Sequence, residues 1–561
     1  MSFQSRFARM LCACALILFG APRSARPQTP SPQESPRSTK TFKIAGTIAN
    51  AITGAPLSQA RVSVAESSDR SNPVSLITSE DGHFEFSSLK PAKYSLQGAK
   101  RGFLSAAYEQ HEQYSTAIVT GPEFATESLI LRLTPMALIT GHVTDEFGDP
   151  IRDATVTLYF ENRAGGMTRT IRFQTSHSDD RGFFDFSQLR PGKYFVSASA
   201  KPWYAVHPAT VLDPAFTPPS QVSSALDVAY PTTYFGGATD SDAATPIEVK
   251  GGDRLEIDIR LNPVPALHVL YRVPVGGDGP SSSGAQMPLL EKHVFDSLGF
   301  TLADGMNAVA PGVFEMTGIP AGHYMVRMRN SDSGQLQLSS EVELSQSGQD
   351  LSESRGEPLG ALKVNIKMPG DEPLPKQYAV GLQNSRRQLW SFKPGDPTGQ
   401  FSFEELPPGK YAILLNAQAK ALSVAHTTSS AGESWGHDVT IAPGATTDVT
   451  AFLSSGVIRI EGVVQKKDKK VAGAMVALVP SDPVAHIDLF RRDQSDFDGT
   501  FALQGVIPGA YTIVAIEDAW GLDWLQPNAL ARYVQHGQNI SIGDFMIGTL
   551  HLPNPIEVQP H

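Results

Sequence analysis

A chain of 561 residues exceeds what one hydrophobic core organises, and at about 100–150 residues per domain it predicts four or five units in series. With 41% hydrophobic and only 18% charged residues, against ~25% charged in average protein, it reads as folded rather than disordered. Its 42 prolines and 48 glycines suit short strands joined by tight turns. A formal charge of -11 with scattered basic residues repels phosphate backbones and excludes nucleic acid as a partner.

Taken in chain order, Arg6 and Arg9 precede an apolar run at 11–21 of signal-peptide length, too short to span a bilayer. Residues 1–25 are therefore read as a signal peptide. Cys12 and Cys14, the only cysteines, fall inside it, so the mature chain is expected to hold no disulfide, thiol nucleophile or Cys-ligated metal. Residues 26–41 form a Pro/Ser-rich linker with Pro27, Pro30, Pro32 and Pro36. No later segment approaches the ~20 continuous apolar residues of a membrane helix, which predicts no transmembrane segment after the signal peptide. The expected location is periplasmic, outer-envelope or extracellular.

From Phe42 onward one pattern recurs five times: GHFEFSSLKPAKY from Gly82, GFFDFSQLRPGKY from Gly182, GVFEMTGIPAGHY from Gly312, GQFSFEELPPGKY from Gly399 and GTFALQGVIPGAY from Gly499. The glycine permits the positive φ of a tight turn. The pairs Phe84/Phe86, Phe184/Phe186, Phe314/Met316, Phe401/Phe403 and Phe501/Leu503 alternate with polar residues, the period of a half-buried strand. A Pro turn follows, and Tyr94, Tyr194, Tyr324, Tyr411 and Tyr511 open the next strand. A tyrosine at such a corner buries its ring and returns its hydroxyl to the preceding turn, a structural role.

An upstream half is clear in three copies: Gly46-Thr47-Ile48 through Gly54 to Val62, Gly141-His142-Val143 through Gly148 to Val156, and Gly462-Val463-Val464 through Gly473 to Val476. Its natural reading is strand, hairpin, strand. Together, "G-x-V/I … G-x-P-L/I-x-x-A-x-V" and "D/E-x-x-G-x-F-x-F-x-x-L-x-P-G-x-Y" resemble the carboxypeptidase regulatory-like domain. That resemblance implies a transthyretin-like (immunoglobulin-like) seven-stranded sandwich, non-catalytic, found in exported bacterial chains in tandem. The expected architecture is all-β, a tandem array of about five β-sandwich domains at 42–134, 135–264, 265–357, 358–455 and 456–561, the third and fourth degenerate and the second carrying a long aromatic insertion. Units of such an array touch mainly their sequence neighbours.

Active-site motifs fare poorly. Gly432-Glu433-Ser434-Trp435-Gly436 matches a nucleophile elbow and precedes His437, but the required helix is missing, so it reads as a surface loop. The 14 histidines contain no H-E-x-x-H, so no metal ligand set is expected. Asp496-Phe497-Asp498-Gly499 opens like a calcium loop without its closing glutamate. Lys466, Lys467, Lys469 and Lys470 read as a solvated hairpin tip. The remaining lead is aromatic: Trp203, Tyr204, Tyr230, Tyr234 and Phe235 in the second unit's insertion, and Trp520 and Trp524 in the fifth. Such rings stack on sugars or plug the end of a sandwich.

The sequence thus points to a non-enzymatic, exported binding protein with no cofactor, partnered by a polysaccharide or an envelope protein. A structural spacer is the alternative, and a serine hydrolase using Ser434 is a remote one. Expressed with its own leader, the chain should lose about 20–30 N-terminal residues. Mass spectrometry of the exported fraction checks this, and an intact Met1 on the exported chain would refute it.

Overall fold

In the computed structural model of the chain, the glycine opening each repeated segment is left-handed: φ is 72° at Gly82, 74° at Gly182, 71° at Gly312, 72° at Gly399 and 75° at Gly499. Space reinforces the requirement. A Cβ at Gly82, Gly182, Gly399 or Gly499 would lie 2.5–2.8 Å from the carbonyl oxygen of Ile48, Val143, Ile366 or Val464. The glycine carbonyl accepts the N–H of that same residue at 2.7–2.9 Å, so the turn is bonded to the repeat's opening strand. The structure describes residues 40–561 except 164, 218–222, 273–286, 330–335, 355, 369, 371, 386–388, 418–420, 431, 457, 527 and 544–545. The segment read as a signal peptide, almost all of the segment read as a linker and both cysteines lie outside the described residues.

After the glycine, the phenylalanine strand (His83–Leu89, Phe183–Leu189, Val313–Ile319, Gln400–Leu406, Thr500–Val506) pairs antiparallel with the opening strand (Phe42–Asn50, Ala137–Thr144, Leu267–Arg272, Gly360–Lys367, Ile458–Lys466). The register slips near its end in all five copies. There Ser88, Gln188, Gly318, Glu405 and Gly505 have φ between 57° and 77°, the mark of a bulge that bends the strand out of its ladder.

The tyrosine strand (Lys93–Ala99, Gly192–Ser199, Gly322–Arg329, Gly409–Ala417, Gly509–Ile516) belongs to the second sheet, beside Arg61–Glu66, Thr155–Asn162, Leu289–Val294, Tyr378–Asn384 and Met475–Pro480. Each repeat tyrosine is buried and donates its hydroxyl to the carbonyl four residues back: Tyr94 to Lys90 at 3.2 Å, Tyr194 to Arg190, Tyr324 to Pro320 and Tyr411 to Pro407 at 2.8 Å, and Tyr511 to Ile507 at 2.7 Å. Burial pushes the phenols of Tyr324, Tyr411 and Tyr511 up to about 12, so they stay protonated donors.

The opening segment folds back at Gly54 and Gly148 for only a few residues, with antiparallel bridges from Ala49 to Pro56 and from Thr144 to Pro150. Phe42–Asn50 joins the sheet of His83–Leu89, whereas Arg61–Glu66 joins that of Lys93–Ala99, and Ala137–Thr144 and Thr155–Asn162 divide in the same way. After that short reversal the chain passes to the second sheet, because both strands bury one face against the other sheet. In four repeats the last strand closes the first sheet by running parallel to the opening strand. In the third only one parallel bridge, Leu270 to Asp350, remains among the described residues. In the fifth, Ile556–Gln559 pairs with both Ile458–Lys466 and Gly509–Ile516 and joins both layers into one nine-stranded sheet.

The chain is an all-β tandem array of β-sandwich domains, each with its own apolar core. A sixth cluster covers the outer face of the fifth repeat, where Met475, Ala477 and Val479 pack under Phe490, Leu530 and Tyr533. Among the described residues no helix is long and apolar enough to cross a membrane.

Contacts are not confined to sequence neighbours. Phe497 of the fifth repeat packs on the core of the first and donates its N–H to the Ala117 carbonyl at 3.0 Å. Tyr511→Ala should therefore cost about 3–5 kcal/mol and Tyr511→Phe about 1 kcal/mol. In limited proteolysis with fragment sequencing, Tyr511→Ala should open 456–561 and, with it, the segment of the first repeat around Thr116. Full protection of that segment would contradict the coupling.

Candidate functional site: the aromatic loops

The insertion of the second repeat leaves strand Gly192–Ser199 and returns at Ile247–Val249. Along it Tyr204 and Tyr230 converge on Glu146, which stands in a turn held by Asp145, whose carboxylate accepts the N–H groups of Phe147 and Asp149 at 2.9 and 2.8 Å. Tyr204 donates to Glu146 Oε1, Tyr230 to Oε2 at 2.8 Å, and Arg260 to the Glu146 carbonyl. Burial pushes the Glu146 carboxyl up, but the two phenols, its own backbone N–H and Arg260 together outweigh it and the net direction is down. Burial and the same carboxylate push Tyr204 up to about 12, and Tyr230 also rises. Trp203 is 88% exposed and meets Tyr204 edge to face at 5.7 Å. An open indole thus stands beside a fixed, charged acceptor.

Tyr230 and Tyr234 are buried, and Phe235 packs against the second core. Tyr234, Tyr159 and Phe195 receive Phe295, the tip of the hairpin between Leu289–Val294 and Ser297–Thr301 of the third repeat, at centroid distances of 5.7, 5.0 and 4.7 Å. Ser241 Oγ accepts the Phe295 N–H at 3.2 Å, and the Asp296 carboxylate accepts that of Thr170 at 2.7 Å.

Trp520 and Trp524 are half-buried at a junction of three repeats. Trp520 stacks on His111 of the first repeat at 5.0 Å with planes 5° apart and donates its indole N–H to the Gly473 carbonyl at 3.2 Å. Trp524 packs on Phe490 at 5.5 Å and closes on Gly166 of the second repeat, where a Cβ would lie 2.5 Å from the indole. Leu525 N–H donates to the Gly166 carbonyl at 2.8 Å, and Thr168 donates to Asp523 at 2.7 Å. Arg492 lies over the Trp524 ring at 4.2 Å and pairs with Glu112 of the first repeat at 2.6 Å. Gln494 Nε2 donates to the Glu109 carbonyl at 2.7 Å and Thr116 Oγ1 at 2.8 Å. Tyr230, Tyr234, Trp520 and Trp524, read from sequence as stacking faces, thus have their faces or hydroxyls engaged inside the protein, because each faces another element. Trp203 alone of the seven rings stands fully open.

The calcium-like acids are answered by a lysine: Lys93 Nζ lies 2.5 Å from Asp496 and 3.8 Å from Asp498. The elbow-like segment is not a loop but a strand, Gly432–Trp435, paired with Ala421–Ser429, since alternate residues there bond to a neighbouring edge. Ser434 is exposed. His437 is buried between the fourth and fifth repeats, 3.4 Å from Asp488, which accepts from Ser423. Burial pushes the His437 imidazole down, but the Asp488 contact outweighs it and the net direction is up. This buried interrepeat pair had no sequence signal. The lysine tip is a turn, with Lys467 and Asp468 left-handed between Ile458–Lys466 and Lys469–Lys470.

Residues 43–120 and 138–220 match the family described as the carboxypeptidase regulatory-like domain. No curated protein matches the chain. Among solved structures, the TIE protein of Bacillus anthracis is 12% identical, with 75% of each chain covered and a TM-score of 0.18. A streptococcal ancillary pilin is 13% identical, covering 52% of this chain and 100% of its own, with a TM-score of 0.19. A minor pilin of Streptococcus agalactiae is 10% identical, covering 40% and 97%, with a TM-score of 0.20. At such scores these likenesses carry no argument about role. The first two repeats, which hold the regulatory-like matches, are the ones that Trp520, Trp524 and Arg492 grip.

Asp493, in the same seam, accepts the Ala502 N–H at 2.6 Å, and burial raises its carboxyl to about 6. A raised carboxyl favours the folded state below its ordinary range, and that contribution is lost as pH rises through about 6. Asp493→Asn should therefore stabilise the chain at pH 8 by on the order of 2 kcal/mol and be near neutral at pH 4. Thermal unfolding at the two pH values checks this, and an equal effect at both would contradict it.

Proposed function

We propose that the chain is an exported, non-catalytic multidomain scaffold of the cell envelope that holds a polysaccharide at the Trp203 end of its second repeat. The closure of the first repeat on the fifth carries the scaffold half of this reading. The loop aromatics that a flexible string of binding modules would leave open are used here to fix repeats to one another. The non-catalytic reading rests on Ser434 standing exposed on a β-strand instead of at the strand-to-helix turn that a nucleophile elbow needs.

The carbohydrate contact rests on Trp203. An exposed indole presents an apolar face to the flat side of a sugar ring, and Glu146 with its two tyrosines supplies a rigid polar neighbour able to orient hydroxyls. Screened against polysaccharides, the chain should be retained by at least one, and Trp203→Ala should weaken retention roughly tenfold, about 1.4 kcal/mol, with unfolding unchanged. Undiminished retention by Trp203→Ala would remove the contact from this site. No retention of the wild type would remove the carbohydrate half and leave the scaffold reading to be judged by the proteolysis above.

A further inference from the structure

Folding brings two histidines from separate segments to a single carboxylate. His207 and Asp227 lie in the insertion of the second repeat, and His268 in the opening strand Leu267–Arg272 of the third. His207 Nδ1 is 2.8 Å from Asp227 Oδ1, and His268 Nε2 is 2.8 Å from Asp227 Oδ2. Ligand atoms of the three residues lie within 4.8 Å of one another. Their side chains are 10%, 18% and 6% exposed for His207, Asp227 and His268, so this is an interior cluster and not a surface patch.

The far nitrogens are as informative as the near ones. His207 Nε2 faces Asp304 Oδ2 at 3.3 Å, and His268 Nδ1 faces Glu315 Oε1 at 3.3 Å. A histidine that binds a metal through one nitrogen characteristically donates the other N–H to a carboxylate, which fixes its tautomer and aims its lone pair. His207 Nε2 has that partner in hydrogen-bond geometry, and His268 Nδ1 faces its carboxylate at 3.3 Å without it. With the far nitrogens as donors of neutral rings, the near lone pairs would meet the oxygens of Asp227 head on, a contact that a second proton on each ring or one shared metal ion relieves.

Charge points the same way. With neutral rings, Asp227, Asp304 and Glu315 stand against one ammonium, Lys201, 2.7 Å from Asp304. Two negative charges are left, and one dication cancels them. Glu315 is fully buried in strand Val313–Ile319. Its Oε2 accepts the Thr210 N–H at 2.8 Å, whereas Oε1 has no partner in hydrogen-bond geometry. A sandwich strand gains nothing from such a carboxylate unless it orients something.

We propose that His207, Asp227 and His268 bind a first-row transition dication, zinc foremost, with Asp304 and Glu315 orienting the two rings, and that the ion ties the second repeat's insertion to the third repeat. Two imidazoles and a carboxylate favour zinc over magnesium or calcium, which prefer all-oxygen sets. Three protein ligands leave the fourth tetrahedral position to water.

The test uses the full exported chain without tag histidines, dialysed against chelator and titrated with Zn2+ or Co2+. One ion per chain should bind, Co2+ should show the visible ligand-field band of a four-coordinate site, and Zn2+ should raise the unfolding temperature. His207→Gln and His268→Gln should each abolish the cobalt band, and Glu315→Gln should weaken zinc binding about 10–100-fold. A folded wild-type chain that takes up neither ion overturns the proposal, as does a band that survives both histidine substitutions. Should those two variants misfold, the wild-type cobalt spectrum together with Glu315→Gln still decides. A cluster held by ring protons alone, with no metal uptake, also overturns it.

Discussion

A phenol buried between two β-sheets needs a partner for its hydroxyl, and for each of the five repeat tyrosines the partner is the carbonyl four residues back. That bond fixes the corner at which the chain leaves one sheet and enters the other, so it sets where the core-facing residues of the tyrosine strand fall. The left-handed glycine upstream and the bulge just before the Pro turn serve the same end. One bends the chain into the phenylalanine strand and the other bends it out. Repeats that share little else keep all three, which is why the degenerate third and fourth copies still form sandwiches.

Between repeats the bonding is of a different kind. Contact is made by loops and by strand residues such as Lys93, Tyr159, Phe195 and Arg492, whose large side chains cross the gap. Phe295 enters a cage of rings on the second repeat. Arg492 has its charge met by Glu112 and its face by Trp524. Lys93 lies between Asp496 and Asp498. Each joins groups that would be costly to leave buried and unpaired, which makes the joints specific as well as adhesive.

The period of alternation and the fixed glycine-to-tyrosine spacing made the sandwich legible, because both reflect bonds closed within a few residues. The reversal at Gly54 and Gly148 was legible, but not that the chain then leaves for the other sheet, since a Gly-x-Pro turn looks the same whichever sheet the next strand joins. The bulge went unseen because Ser88, Gln188 and Glu405 occupy a left-handed position usually marked by glycine. Nothing local could show that Trp520 meets His111 or that His207 meets His268, because those partners are remote in the chain and are joined only by tertiary packing. Exposure of Trp203 is equally a property of what fails to cover it.

The joint between the first and last repeats also bears on the order of events during synthesis. The first sandwich is complete once the strand Leu129–Leu133 has emerged, yet the face holding Glu112, Thr116 and Phe124 has no partner until the final repeat is made. Through most of translation, that face is an open edge with polar groups awaiting Gln494 and Arg492. A chain built this way finishes at its beginning, and whatever shields the first repeat in the interval is part of how it matures.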